Sequence, residues 1–187
     1  MSDVTLLLAA VERGESQAAE ELLPLVYDEL RHLATTRMAG EAPGQTLQPT
    51  ALVHEAWLRL VNQKDPGWNN RVHFFRAAAL AMRRILVDNA RSKASLKGGQ
   101  RTERLNIDDL DLAAAPPDDR ILMIDEALGW LETHDPECAR IVTLRFFGGF
   151  TIPEIARAQG ASERTIARQW AYAKACLFQF IREDPGA

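Results

Sequence analysis

The chain has 187 residues, of which 47% are apolar and 26% charged, and its net charge is −4. These proportions are typical of a globular protein and exclude a disordered, collagen-like or disulfide-rich chain. No apolar run approaches the roughly 20 residues that cross a bilayer, and Cys138 and Cys176 lack metal-ligand spacing, so we expect a cytoplasmic protein with no membrane partner, metal or cofactor.

Four helices are predicted in the first half of the chain, where apolar residues recur at helical spacing. They cover residues 4–13, 16–38, 49–62 and 72–95. Pro24 falls inside the second helix and predicts a kink or a later start, whereas Pro49 suits the first position of the third. We expect these helices to form one small domain over residues 1–104.

A change of charge separates this domain from the rest of the chain. Residues 83–104 carry a net charge of +5, and residues 105–119 contain five aspartates and no basic residue. The acidic segment also holds three consecutive alanines and two prolines, without a core-forming pattern, which predicts a flexible acidic linker. The expected fold class is therefore all-α, with two small helical domains joined by this linker.

The second domain, residues 120–187, is also predicted to be helical. Its four helices cover residues 120–132, 136–146, 152–158 and 163–182. Thr151 and Glu154 have the spacing of a capping box, Ser162 suits a helix cap, and Gly160 suits a left-handed turn. A short helix, a glycine-containing turn and a second helix are typical of a helix-turn-helix motif.

The start of the last predicted helix carries polar side chains of the kind that contact DNA. The residues expected to face DNA are Ser162, Glu163, Arg164, Thr165, Arg168 and Gln169. Arginine can bond guanine bidentately and glutamine can bond adenine. The surrounding segment, residues 145–174, carries a net charge of +3. The alternative interpretation is a plain helical hairpin with solvated charges.

Three motifs carry a family resemblance, namely LVHEAWLRLV at 52–61, HFFRAAALAMRRILVDNAR at 73–91 and FGGFTIPEIARAQGASERTIARQWAYAKACL at 147–177. On these motifs the chain resembles a bacterial sigma-70 family factor of the compact extracytoplasmic-function (ECF) type. The resemblance implies binding to the clamp and flap of core RNA polymerase. It also implies that the first domain reads and opens the promoter −10 element and that the second reads the −35 element. A subunit that docks on polymerase need not bind DNA tightly by itself, which accounts for the acidic net charge.

The resemblance assigns residues to these surfaces. Those that match the polymerase-binding helix are Leu52, Val53, Glu55, Leu58 and Arg59. Those that match the −10 reading and strand-opening region are Trp68, Asn69, Asn70, Arg83, Arg84, Arg91 and Lys93. The Trp68 ring offers a stacking surface for a flipped base, and the alternative is that it fills the edge of the core. Arg84 stands where many members carry Asn, and Phe74 or Phe75 is expected to pack in the core.

One departure from the family pattern concerns charge. Just before LVHEAW the family commonly shows an acidic run, whereas this chain reads Gln48-Pro49-Thr50-Ala51. A phosphate on Thr50, in the first turn of a helix, is favoured by the free amides and the helix dipole. We therefore predict that a Ser/Thr kinase phosphorylates Thr50, restores the missing negative charge and switches on polymerase binding. The alternatives are that Thr50 only caps the helix and that an anti-sigma factor regulates the protein.

Catalytic motifs have little support in this sequence. His54-Glu55 is not followed by a second histidine at helical spacing, and the glycine pairs lack the Lys-Ser/Thr of a phosphate-binding loop. We therefore expect a protein that is not an enzyme. The runner-up function is a stand-alone helix-turn-helix regulator that dimerises on palindromic half-sites, and a third is a helical protein-interaction adaptor.

Overall fold

The structure is a computed structural model that describes residues 3–38, 47–62, 68, 70–97 and 118–183. All regular secondary structure in these residues is helical, which confirms the all-α class. The α-helices, in chain order, are α1 (Asp3–Glu12), α2 (Ser16–Met38), α3 (Pro49–Val61), α4 (Arg71–Lys97), α5 (Asp118–His134), α6 (Pro136–Val142), α7 (Ile152–Gln159) and α8 (Glu163–Glu183). A π-helical turn, Thr143–Phe147, follows α6 directly.

The predicted helices are confirmed, with differences at their ends. α2 continues through Pro24 rather than starting after it. The single helix predicted over 136–146 is instead α6 followed by the π-helical turn. α5 begins at Asp118, slightly earlier than predicted, and residues 105–117 of the predicted linker lie outside the described residues.

A first hydrophobic core lies between α1, α2, α3 and α4. On α3, the apolar residues at helical spacing that are buried in it are Leu52, Val53, Ala56, Trp57 and Leu60. Phe74 and Phe75, at the start of α4, are both buried, which goes beyond the expectation that one of them would be. An ion pair between Glu29 and Arg71 joins α2 to the start of α4.

A second core lies between α5, α6, the π-helical turn, α7 and α8. Its centre includes Ile155 of α7 together with Ile166 and Trp170 of α8, which hold the two helices of the predicted motif together. Arg145 connects the segment after the π-helical turn with α8. Its Nη1 donates to the Phe150 carbonyl at 3.0 Å, and its guanidinium lies 5.7 Å from the Trp170 ring centre.

The two cores meet along α4 and α5. Ala79 of α4 is fully buried in the second core, whereas Ile121 of α5 is buried in the first. Phe150 packs against both cores, and its ring centre lies 6.0 Å from that of Phe75. Because each core takes side chains from the other module, the described helices form one continuous packed body.

The π-helical turn lies where α4 meets the second core. The buried Thr143 hydroxyl donates to the Ala139 carbonyl at 3.0 Å, and the Gly148 amide closes the turn on the Thr143 carbonyl at 2.9 Å. A Cβ on Gly148 would lie 2.6 Å from the Leu144 carbonyl oxygen and 3.2 Å from the Ala79 Cβ. The absence of a side chain at this glycine therefore allows α4 to approach closely.

The capping box at the start of α7 predicts a stability effect. We expect Thr151→Ala to lower the free energy of unfolding by about 0.5–2 kcal/mol, because the Thr151 hydroxyl accepts from the Glu154 amide at the helix start. Thr151→Ser keeps the hydroxyl and should lose much less. Urea unfolding followed by circular dichroism measures both variants, and equal losses would show that the lost methyl packing, not the cap, is responsible.

Candidate nucleic-acid and polymerase-binding surfaces

The helix-turn-helix is built from α7, a short turn and α8. The Thr151 amide donates to the Glu154 carboxylate at 2.7 Å, and the Glu154 amide donates back to the Thr151 hydroxyl at 3.4 Å. Partial burial acts to raise the pKa of Glu154, but the hydrogen bonds from Thr151 outweigh it and the net pKa is lowered. The carboxylate therefore stays ionised, and its stabilising effect is lost only as the pH falls below about 4.

The turn fixes where α8 begins. Gly160 has a left-handed backbone (φ 62°), which glycine adopts without steric cost, and the Ala161 amide reaches back to the Ala156 carbonyl at 3.0 Å. The Ser162 hydroxyl then accepts from the Thr165 amide at 3.1 Å. These bonds confirm the predicted turn and the predicted cap of α8.

The residues predicted to read the −35 element lie around the start of α8, and Arg164 and Arg168, four positions apart, share its outward side. Ser162, Glu163, Arg164 and Arg168 are exposed, and Thr165 and Gln169 are half-buried. Ser162 and Thr165 also bond each other through their hydroxyls at 2.8 Å, so both contribute to the cap. The long basic side chains that are available to a DNA major groove are therefore Arg164 and Arg168.

The residues predicted to bind polymerase divide into two groups. Leu52 and Val53 are fully buried in the first core, so they position α3 and do not form its outer surface. Leu58 is 57% exposed and lies beside Glu55 and Arg59. Arg59 pairs with Glu55 at 2.9 Å and reaches Asp88 of α4 at 3.5 Å. The outer surface of α3 therefore presents an exposed leucine with charged side chains beside it.

Thr50 is exposed in the first turn of α3. The cap position is occupied by Gln48, whose side chain makes no capping bond, so the alternative that Thr50 caps the helix is wrong. Residues four apart lie on one side of a helix, which places Thr50 in a row with His54 and Leu58. No acidic residue stands in this first turn.

The basic residues predicted on α4 have different environments. Arg84 is exposed and Lys93 is half-buried. The side chain of Arg83 is only 11% exposed, because it contacts Asp125 and Glu132 of α5. Arg91 is largely exposed but also reaches Asp125, at 3.4 Å. Sequence reasoning missed these two acidic partners, since nothing in the local pattern of α5 indicates that it faces α4.

Trp68 does not present a free stacking surface in this structure. Its side chain is 1% exposed and packs edge-on against Phe74, with ring centres 5.2 Å apart, in agreement with the alternative that it fills the core edge. Among the described residues, its buried indole nitrogen has no hydrogen-bond partner. The Asn70 side chain accepts from the His73 amide at 3.0 Å and so caps α4. Asn69 lies outside the described residues.

Cys138 and Cys176 are both free cysteines. Cys138 is buried in the second core, and burial raises the pKa of its thiol to about 12, so it stays protonated at neutral pH. Within the part of the chain that the structure describes, no group of three His, Cys, Asp or Glu side chains is placed to hold a metal ion.

Comparison with known proteins identifies the family. No curated protein and no solved structure gives a significant match to this chain. Across the described helices, none is both long and apolar enough to cross a bilayer. The sequence matches the ECF sigma factor family over residues 1–183, which includes both helical modules and the segment between them. The chain therefore belongs to the ECF sigma factor family, whose members direct transcription initiation by RNA polymerase.

Proposed function

We propose that this sigma factor reads the −35 promoter element through the start of α8 and the −10 element through the basic residues of α4. The observation that carries the −35 assignment is the capped helix-turn-helix, which leaves Arg164 and Arg168 exposed where a recognition helix meets base edges. The −10 assignment is supported by the arginines of α4, which suit phosphate contacts because guanidinium binds oxyanions bidentately.

The proposed partner is core RNA polymerase, with α3 on the clamp and the second module on the flap. Support comes from Leu58, a large apolar side chain on the outer side of α3, whose 57% exposure is typical of an apolar anchor at an interface. The net charge of −4 fits the same assignment, because an acidic protein lacks the electrostatic term that dominates binding to free duplex. We further propose two functional modules, residues 1–104 and 120–187, joined by the acidic linker 105–119 in a cytoplasmic protein that is not an enzyme.

The test is promoter selection with and without core polymerase. The full-length protein is mixed with core enzyme from its own bacterium and a library of random duplexes, and bound or transcribed sequences are recovered. We expect enrichment of a two-part −35 and −10 pattern only when core enzyme is present. Tight binding of a palindromic site by the protein alone would instead favour the stand-alone regulator, and no DNA dependence would favour the adaptor.

We also propose that phosphorylation of Thr50 by a Ser/Thr kinase adjusts polymerase binding. The support is the exposed position of Thr50 in a first turn without an acidic residue, in one row with the exposed Leu58. A phosphate there would lie near free helix amides and would add negative charge beside the proposed docking surface. Regulation by an anti-sigma factor is the alternative.

Variants at Thr50 test this proposal. We expect Thr50→Glu to bind core polymerase more tightly than Thr50→Ala, by a factor of about 5 to 10, which corresponds to about 1 kcal/mol of helix-end and interface electrostatics. Thr5→Glu, on α1, is the control for a general effect of negative charge. Equal binding of Thr50→Glu and Thr50→Ala, measured by biolayer interferometry, would rule the switch out.

A further inference from the structure

Two of the four basic residues predicted to contact DNA on α4, Arg83 and Arg91, contact carboxylates of α5. Arg83 Nε donates to Asp125 Oδ1 at 2.8 Å, and Arg83 Nη1 donates to Glu132 Oε1 at 2.5 Å. Arg83 Nη2 also donates to the Asp125 main-chain carbonyl at 3.3 Å. The side chains of Arg83 and Asp125 are only 11% and 18% exposed, so this pair is largely withdrawn from water. Arg91 adds a longer contact to the other Asp125 oxygen.

We propose that these four residues form a latch in which the carboxylates of α5 take the place of promoter phosphates on α4. In the free protein Arg83 is then unavailable to −10 DNA, and α5 must move away from α4 before Arg83 can bind a phosphate. This inference rests on the proposed function, because it takes Arg83 and Arg91 to be contacts for promoter DNA. The α4–α5 latch is defined as Arg83, Arg91, Asp125 and Glu132.

A carboxylate and a phosphate exclude each other at Arg83 because both bind the same donors of its guanidinium group. Arginine presents a planar fork of donors that a carboxylate or a phosphate can fill, and the fork of Arg83 already serves two carboxylates and a carbonyl. A cleft of about 260 Å³ beside the latch is lined by Arg84, Arg91 and Asp88 as well as by the latch acids. A phosphate that replaces the latch acids could therefore contact Arg84 and Arg91 together with Arg83.

Apolar packing supports the closed arrangement. Ala79 of α4 is buried against the second core, and the Phe147 ring lies under the Arg83 guanidinium at 5.7 Å. The Phe75 and Phe150 rings add an edge-on contact between the modules. Covering Arg83 with an aromatic ring strengthens its pairing with Asp125, because it lowers the local dielectric constant.

The decisive experiment removes the latch charges in the full-length protein without core polymerase. The Asp125→Asn/Glu132→Gln variant is compared with Glu126→Gln/Glu137→Gln, which makes the same change of net charge at exposed positions of α5 and α6. The radius of gyration is measured by small-angle X-ray scattering. Binding of a fluorescent single-stranded oligodeoxynucleotide of mixed sequence is measured by anisotropy.

We expect the latch variant to expand and to bind the oligodeoxynucleotide at least about tenfold more tightly than the control double variant does, since each guanidinium regains a phosphate contact. Adding Arg83→Ala to the latch variant should remove most of this gain. If the variant stays as compact as the wild type, or expands without a gain over the control, the latch proposal is overturned.

A second variant opens the interface without changing charge. Ala79→Leu places extra volume where α4 meets Gly148, and Ala79 packs on the second core rather than in the first. This variant should also expand and gain affinity for the oligodeoxynucleotide, and expansion without a gain in affinity would again overturn the latch.

Promoter-dependent transcription with core polymerase is measured in parallel. Wild-type protein that fails to transcribe with core polymerase contradicts the proposed function, whereas normal transcription without a latch effect contradicts the latch alone.

Discussion

Leu58→Asp is expected to weaken binding of core polymerase by about 30-fold or more, which is the loss typical of a central interface residue worth at least 2 kcal/mol. Leu58 is 57% exposed, so aspartate at this position is solvated in the free protein and the fold should be unaffected. In the complex the same carboxylate would be buried next to Glu55, whose charge already pairs with the neighbouring Arg59. Biolayer interferometry with immobilised core enzyme measures the change.

Leu25 provides the matched control for this experiment. It lies on α2 and is 48% exposed, and the control variant Leu25→Asp carries the same type of substitution as Leu58→Asp. We expect the control to bind core polymerase within a factor of about two of the wild type, as surface substitutions away from an interface usually do. Equal losses in both variants would show that α3 does not carry the specific docking surface, and a normal affinity for Leu58→Asp would show that Leu58 lies outside it.

The second large effect concerns promoter reading by α8. We expect Arg164→Ala and Arg168→Ala each to reduce transcription from a selected promoter by about 5- to 100-fold, because a bidentate arginine contact contributes about 1–3 kcal/mol of discrimination. The variant that loses a base contact should also accept more sequences at one −35 position. Transcription in vitro from promoters with each −35 base changed in turn measures both effects.

Arg182→Ala is the control for the loss of positive charge on α8. Arg182 is exposed in the last turn of the same helix, where it lies over the Phe178 ring, far from the turn that begins the helix. This variant should transcribe normally and keep the same −35 preference. A uniform loss in Arg164→Ala and Arg168→Ala, without relaxed preference, would assign these arginines to the DNA backbone instead of to bases.

Much of the local structure could be predicted because its causes are local. The Thr151–Glu154 capping box and the Gly160 turn depend on hydrogen bonds and backbone angles within a few residues, and both are confirmed. The start of α3 at Pro49 is confirmed for the same reason. Helical spacing also accounts for the buried Ile166 and the exposed Arg164, since the two faces of α8 follow directly from its period.

The environments of the functional side chains were harder to predict. Helical periodicity places Arg83 in one row with the apolar Ala79 and Val87, but it does not show that Asp125 and Glu132 of α5, more than forty positions away in sequence, pair with it there. Trp68 illustrates the same limit, because its sequence context fits either base stacking or core packing, and only the position of Phe74 distinguishes the two.

The sequence by itself determined the helical class, the positions of the helices, the helix-turn-helix and the family, because these depend on periodicity, local hydrogen bonding and motif spacing. Only the tertiary structure decided which charges are available for binding, namely that Arg164 and Leu58 face outward while Arg83 is paired across the modules. The physical reason is that pairing and burial depend on contacts between distant segments. Those contacts are set by the packing of two cores against each other, which local patterns do not encode.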